Sequence, residues 1–146
     1  MAPSTATVRS LLQRATGDIQ ASGANSGSLL QLGGLVDILA PNVQVEIVGF
    51  NITINGAAAV KNPSSDIPSL ASVIQVDKPI HADVTHVLAD NDVIVAITRS
   101  KATTHSNIPW DHETVTVLHF DSNDQVDSVR VYNDTHALNQ HISAAV

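Results

Sequence analysis

The sequence predicts an α+β fold, helices first and a curved antiparallel sheet after them, on three observations. Val8, Leu11, Leu12, Ala15 and Ile19 recur at helical spacing near the start of the chain. From Val43 the period shortens to two, with Val43, Val45 and Ile47 alternating with Gln44, Glu46 and Val48. After His81, long β-type runs follow one another, separated by the turn-forming segments Ala89 to Asp92, Ser106 to Pro109 and Asp121 to Asp124. Helices followed by a run of hairpins gather on one face of the sheet. A long twisted sheet of this kind curls, and the space between its concave face and the helices is a natural pocket.

Each element has its own signals. Ser4 or Thr5 caps the first helix, and Gly23 to Gly27 breaks the chain after it. A second helical stripe, Leu32, Leu35, Val36 and Leu39, stops at Pro41, with Gly33 and Gly34 weakening it. The strand from Val43 is followed by Asn51 to Ile54, either its continuation or a short partner, and the Asn55-Gly56 turn. Ala57 to Val60 forms one helical turn. Asp66 caps a short helix with Pro68 in its first turn and Leu70, Ala71 and Ile74 on one face. The expected meander runs His81 to Leu88, Val93 to about His105, His112 to Phe120 and Val126 to Tyr132. Asn133 or Asp134 then caps a closing helix carrying Ala137, Leu138 and Ile142. With no repeat and no linker, residues 1–146 are expected to form a single domain.

Composition narrows the function classes. The chain has 146 residues, 43% hydrophobic and 14% charged, which is enough apolar material for one real core. The net charge is −7 and the basic side chains are scattered, so no concentrated basic face is expected to grip nucleic-acid phosphates. The same acidity disfavours anionic membranes. One Trp, one Tyr and two Phe provide no stacking platform for single strands. There are no cysteines, which removes disulfides, thiolate metal sites and cysteine nucleophiles. No stretch approaches a membrane span and no secretory leader is evident, so the expected compartment is the cytoplasm. The sequons at Asn51 and Asn133 are then chance matches.

Four segments carry a resemblance. Ala89-Asp-Asn-Asp-Val-Ile-Val-Ala-Ile-Thr98 resembles the hairpin of SnoaL-like proteins within the NTF2-like superfamily. Thr116-Val-Leu-His-Phe-Asp-Ser-Asn-Asp-Gln-Val126 is similar to that family's strand, acidic turn and strand. Val129-Arg-Val-Tyr-Asn-Asp134, followed by Leu138, resembles its closing strand-to-helix signature. Leu35-Val-Asp-Ile-Leu-Ala-Pro-Asn-Val-Gln-Val45 resembles its second helix running into its first strand. The resemblance spans roughly residues 28–142. It implies a cone-shaped α+β barrel of the cystatin-like kind, a deep pocket, and a homodimer through the outer face of the sheet. Family members include polyketide cyclases, ketosteroid isomerases, limonene-epoxide hydrolases, dehydratases and plain binding modules, and fold alone does not choose among them.

The candidate chemistry rests on few residues. Asp134 stands where the resemblance places a pocket carboxylate that takes a proton alpha to a carbonyl, and equally where a helix cap belongs. His112, Thr114 and Thr116 share one strand face with Leu118 and Phe120, while Glu113, Val115, Val117 and His119 share the other. The resemblance points His112 inward as an acid–base group; the plain alternative is a strand-edge histidine beside solvent. Arg99 and Tyr132 are candidates to orient a carbonyl or enolate oxygen. Arg130 shares a strand face with Tyr132. Trp110 either covers the pocket or packs on the helices. Glu46 is a polar pocket group or part of a solvated face, and Val131 belongs to the apolar lining.

Other chemistries have less support. Arg99 is followed two positions later by Lys101, and the second acid of an epoxide-hydrolase trio would fall near the apolar Val131. His81 and His86 lie on opposite strand faces, and His136 and His141 stand five apart where a helical metal pair uses four, so no metal is expected. Asp121 to Asp127 has alternate oxygen ligands but lacks a calcium loop's glycine. No phosphate-binding glycine loop or Gly-x-Ser-x-Gly elbow occurs, so no cofactor is expected. The expected function is a cofactor-independent cyclase, isomerase or dehydratase acting on a small, largely apolar polyketide-, terpenoid- or steroid-like molecule. A non-catalytic binding or dimerisation module is the alternative.

Overall fold

The computed structural model describes residues 3–22, 33–62, 74–75, 78, 81–106 and 109–134. The expected helix from Asp66, the closing helix and the break at residues 23–27 lie outside them. Helix α1 spans Thr5–Ser22. Ser4 caps it: its Oγ accepts a hydrogen bond from the Thr7 amide at 3.1 Å, meeting one of the first-turn donors that have no partner within the helix. Val8 and Leu12, on the inner side of α1, are buried.

The second helical stripe is shorter than its apolar spacing suggests. A 3-10 helix covers Gly33–Ile38, and strand β1 begins at once, Leu39–Val48. Two adjacent glycines weaken a helix, and Pro41 holds the residue before it extended, so Leu39 and Ala40 join the sheet instead. Pro41 lies where the pairing of β1 with its neighbour is interrupted, between Leu39 and Gln44, which is where a residue without an amide hydrogen is tolerated.

Strand β2 (Ile52–Asn55) pairs antiparallel with β1 as a hairpin. Gly56 follows at φ 92° and ψ 144°, donates its amide to Val43 O at 2.7 Å and leads into the short helix α2, Ala57–Lys61. That backbone conformation is essentially restricted to glycine. A Cβ at Gly56 would meet Pro41 O at 3.6 Å, an ordinary contact, so any cost of a side chain there is conformational. Gly56→Ala is therefore expected to lower stability by about 1–3 kcal/mol, read as a fall in the urea midpoint at unchanged slope.

The remaining strands are β3 (His81–Asp90), β4 (Val93–Ala102), β5 (Trp110–Phe120) and β6 (Val126–Tyr132). They form the expected antiparallel meander. Among the described residues the strands form one six-stranded sheet in the order β2-β1-β6-β5-β4-β3, with β1 parallel to β6, so it is mixed rather than purely antiparallel. Ile74, expected on a helix face, instead forms an isolated bridge with Thr104, just past the end of β4.

Helix α1 packs on the outermost strand, β3. The Gln13 side-chain amide donates to Ala82 O and accepts from Val84 N at 3.1 Å, and Arg9 donates to Val84 O. These side chains occupy backbone groups that a further strand would otherwise pair with, which protects the edge. A bulge follows directly, between Val84 and His86. It bends β3 and leaves the alternation of β4 and β5 intact, since their pairing runs unbroken from Val93↔His119 to Ala102↔Trp110. One face of the sheet meets the helices. Val45, Ile47, Val84, Ile94, Leu118, Phe120, Val129 and Val131 pack there with Val8, Leu12 and Leu35.

Candidate functional site in the polar half of the buried face

The pairing registers assign every strand residue to a face. On β5 the buried row is Trp110, His112, Thr116, Leu118 and Phe120, with Thr114 half-buried among them. Ala96 lies opposite Thr116, which lies opposite Val131, and Ile94 opposite Leu118 opposite Val129. At the end of the sheet carrying Ile94, Leu118 and Val129 this face is wholly apolar. Beyond the Ala96–Thr116–Val131 line, polar residues replace apolar ones on all three strands together: Thr98 and Ser100 on β4, Thr114 and His112 on β5, Asn133 after β6. A stability-driven core gains nothing from such a change, because each buried polar group must be supplied with hydrogen bonds that an apolar residue does not need.

The polar groups are ordered by contacts with one another. Trp110 is 4% exposed and its Nε1 donates to Ser100 Oγ at 3.1 Å. Its ring meets the His112 imidazole edge to face, with centroids 4.3 Å apart and planes at 81°, a favoured arrangement for aromatic pairs. His112 is 6% exposed and its Nε2 is sealed from solvent. Thr114 Oγ1 donates to Asn133 Oδ1 at 3.0 Å. Beyond Trp110, Gln75 donates its amide to Thr103 O at 2.7 Å and its side-chain Nε2 to Thr104 O at 3.0 Å, fixing the chain at this end of the sheet.

The expected site residues thus separate into two groups. The structure gathers Trp110, His112, Thr114 and Thr116 on the buried face, and places Leu118, Phe120 and Val131 in its apolar half. The others lie elsewhere. Arg99 sits on the outer face opposite Glu113 and grips Asp111 through two hydrogen bonds of 3.0 and 3.1 Å. That contact raises the arginine's pKa and lowers that of Asp111, the hydrogen bond being the larger cause in each. Tyr132 lies opposite Val115 on the same outer face, beneath Arg130, whose guanidinium is 5.4 Å from the ring centroid. Glu46 pairs there with Arg130 at 3.5 Å. Asp134 is exposed, outside the buried row. Strand alternation is the cause: Arg99, Tyr132 and Glu46 have the opposite parity to Ser100, Val131 and Val45.

Asn133, outside the sequence-derived candidates, joins this face at the end of β6; the signal is that Val129, Val131 and Asn133 share one parity. Among the described residues no cluster of three His, Asp or Glu side chains is arranged to hold a metal ion. No described helix is long and apolar enough to cross a membrane.

No family model matches the chain, and no curated protein matches it. Solved structures do. An NTF2-like protein of unknown function from Burkholderia pseudomallei superposes with a TM-score of 0.66 at 16% identity, over 97% of this chain and 100% of that one. A protein of ketosteroid isomerase-like fold from Catenulispora acidiphila, in complex with trimethylamine, gives 0.62 at 10% identity, over 98% and 95%. A SnoaL-like protein from Jannaschia sp. CCS1 gives 0.59 at 16% identity, over 99% and 98%. Identities this low establish architecture and not activity: the chain has the NTF2-like α+β fold, built on a curved mixed sheet, that SnoaL-like and ketosteroid isomerase-like proteins share.

Proposed function

We propose that the polar half of the buried face binds a small, largely apolar molecule bearing a carbonyl and moves a proton at the carbon beside it, with His112 as the acid–base group. The observation that carries this reading is the burial of His112 among Ser100, Thr114, Thr116 and Asn133, in register across three strands. Imidazole titrates near neutral pH and so suits proton transfer in both directions. Val131 and Leu118, apolar and buried, adjoin the polar groups, which fits a ligand with a hydrocarbon body. Cyclisation, isomerisation and dehydration share this elementary step. Their occurrence among proteins of this fold supports the class without choosing within it.

The step can be tested without knowing the natural substrate. In D2O, the wild-type protein is expected to accelerate exchange of the alpha hydrogens of acetophenone and 2-tetralone above the buffer rate, followed by loss of their proton NMR signals. Both ketones binding with no acceleration would instead make the chain a binding module.

The proposed partner, besides the small molecule, is a second copy of the chain. Half-buried Val95, Ile97, Val115 and Val117 form an apolar stripe on the outer face, and Leu88 beside it is 62% exposed. Apolar surface of this kind bordered by ion pairs fits a protein contact. Sedimentation equilibrium is expected to give twice the monomer mass, and Leu88→Asp to reduce it toward the monomer.

A further inference from the structure

We infer that Asn133 is the group that binds the ligand's oxygen, and that Thr114 is the positioning residue that aims it; this rests on the binding reading of the buried face. The Asn133 carboxamide is held at one end only. Its Oδ1 accepts the Thr114 hydroxyl hydrogen at 3.0 Å. Its Nδ2 is buried and has no acceptor among the described residues. A buried donor left unmet costs about 1–3 kcal/mol, so the arrangement persists more readily where something supplies an acceptor. Because Thr114 holds the oxygen, the amide presents a donor rather than an acceptor to whatever enters. The complementary chemistry is an oxygen with lone pairs and no hydrogen: a ketone, an enolate or a carboxylate.

The placement suits the proposed proton transfer. Thr114 stands beside Asn133 across the strand pair, and His112 lies two residues further along the same face. His112 and Asn133 are therefore diagonal neighbours, and diagonal positions on a sheet face are about 7–8 Å apart. That separation is one that a small ketone, bound at Nδ2 through its oxygen, can span with its adjacent carbon toward His112. Hydrogen bonding to the oxygen also stabilises the negative charge that develops there as the proton leaves.

Acetophenone and α-methylstyrene, nearly the same shape with an oxygen or a methylene at the key position, separate the possibilities. Their affinities are read from titrations of the Trp110 indole and the Leu118 methyl NMR signals, and the contact from the Asn133 side-chain amide signals. Wild type is expected to bind the ketone about tenfold or more tightly than the hydrocarbon, the factor that one unmet buried donor implies. Only the ketone should move the Asn133 amide protons. Asn133→Ala and Thr114→Val are expected to bring that ratio close to one with hydrocarbon affinity unchanged, which a merely structural role would not do. Asn133→Asp, which offers only an acceptor, should reverse the preference. Equal binding of the two probes by wild type, or a ketone that leaves the Asn133 amide unmoved, overturns the assignment and leaves the site reading standing. If neither probe moves the Trp110 or Leu118 signals, the site reading falls and the assignment with it.

Discussion

Replacing His112 with leucine is expected to lower the rate of alpha-hydrogen exchange in a bound ketone by about 10²–10⁴-fold, the usual contribution of a positioned acid–base group. Binding of the ketone should change far less, because the donor proposed to hold its oxygen is Asn133. The fold should also survive. His112 occupies a buried position of a central strand, where leucine has a similar volume, and the edge-to-face contact with Trp110 is worth about 0.5–1.5 kcal/mol. Thermal unfolding of the variant separates this outcome from misfolding: a cooperative transition within a few degrees of wild type, together with lost exchange, identifies a catalytic loss. Exchange that persists at the wild-type rate in a folded His112→Leu protein would remove His112 from the proposed role.

The second large effect is on stability. Phe120 is 1% exposed at the end of β5, packed among the apolar side chains that the sheet presents to the helices. Its amide also donates to Asp92 O at 2.8 Å, tying β5 to the turn between β3 and β4. Phe120→Ala keeps that backbone bond and empties the side-chain volume, with a typical cost of about 3–5 kcal/mol from lost transfer energy and the remaining void. Against a usual total of about 5–15 kcal/mol, this is a large fraction of the fold's stability. Urea unfolding should show a sharply lower midpoint at unchanged slope, while Phe120→Leu, which fills most of the volume, loses much less. A loss under about 1 kcal/mol for the alanine variant would mean that the apolar half of the face closes over the gap.

His112 and Phe120 stand eight positions apart on one row of β5. Strand alternation places Leu118 and Phe120 on the same face as His112, Thr114 and Thr116 and leaves open which face is buried. Thr114 and His112 were readable only as partners on the same face, since a polar residue is equally at home in water or in a satisfied buried row. The shared parity of His112 through Phe120 therefore comes from the sequence, and its inward direction from the helices that pack over Ile94, Leu118 and Val129. Arg99, Tyr132 and Glu46 have suitable chemistry, but each is one residue out of step with the neighbour that takes the buried face: Ser100, Val131 and Val45.

By itself the sequence determined the α+β class, an α1 cap at Ser4 or Thr5, the meander from His81 to Tyr132 and the three polar residues of β5, His112, Thr114 and Thr116, that share a face. These depend on local period, capping and turn chemistry, all written within a few residues of one another. Only the tertiary structure decided that β1 runs parallel to β6, that α1 covers the edge of β3, and that the polar halves of β4, β5 and the end of β6 lie side by side. Those features join residues far apart in the chain. Register between distant strands is set by which faces can be buried together, and no local pattern contains that information. Asn133 belongs to this second set: an asparagine in a sequon by sequence, and the partner of Thr114 once β5 and β6 are paired.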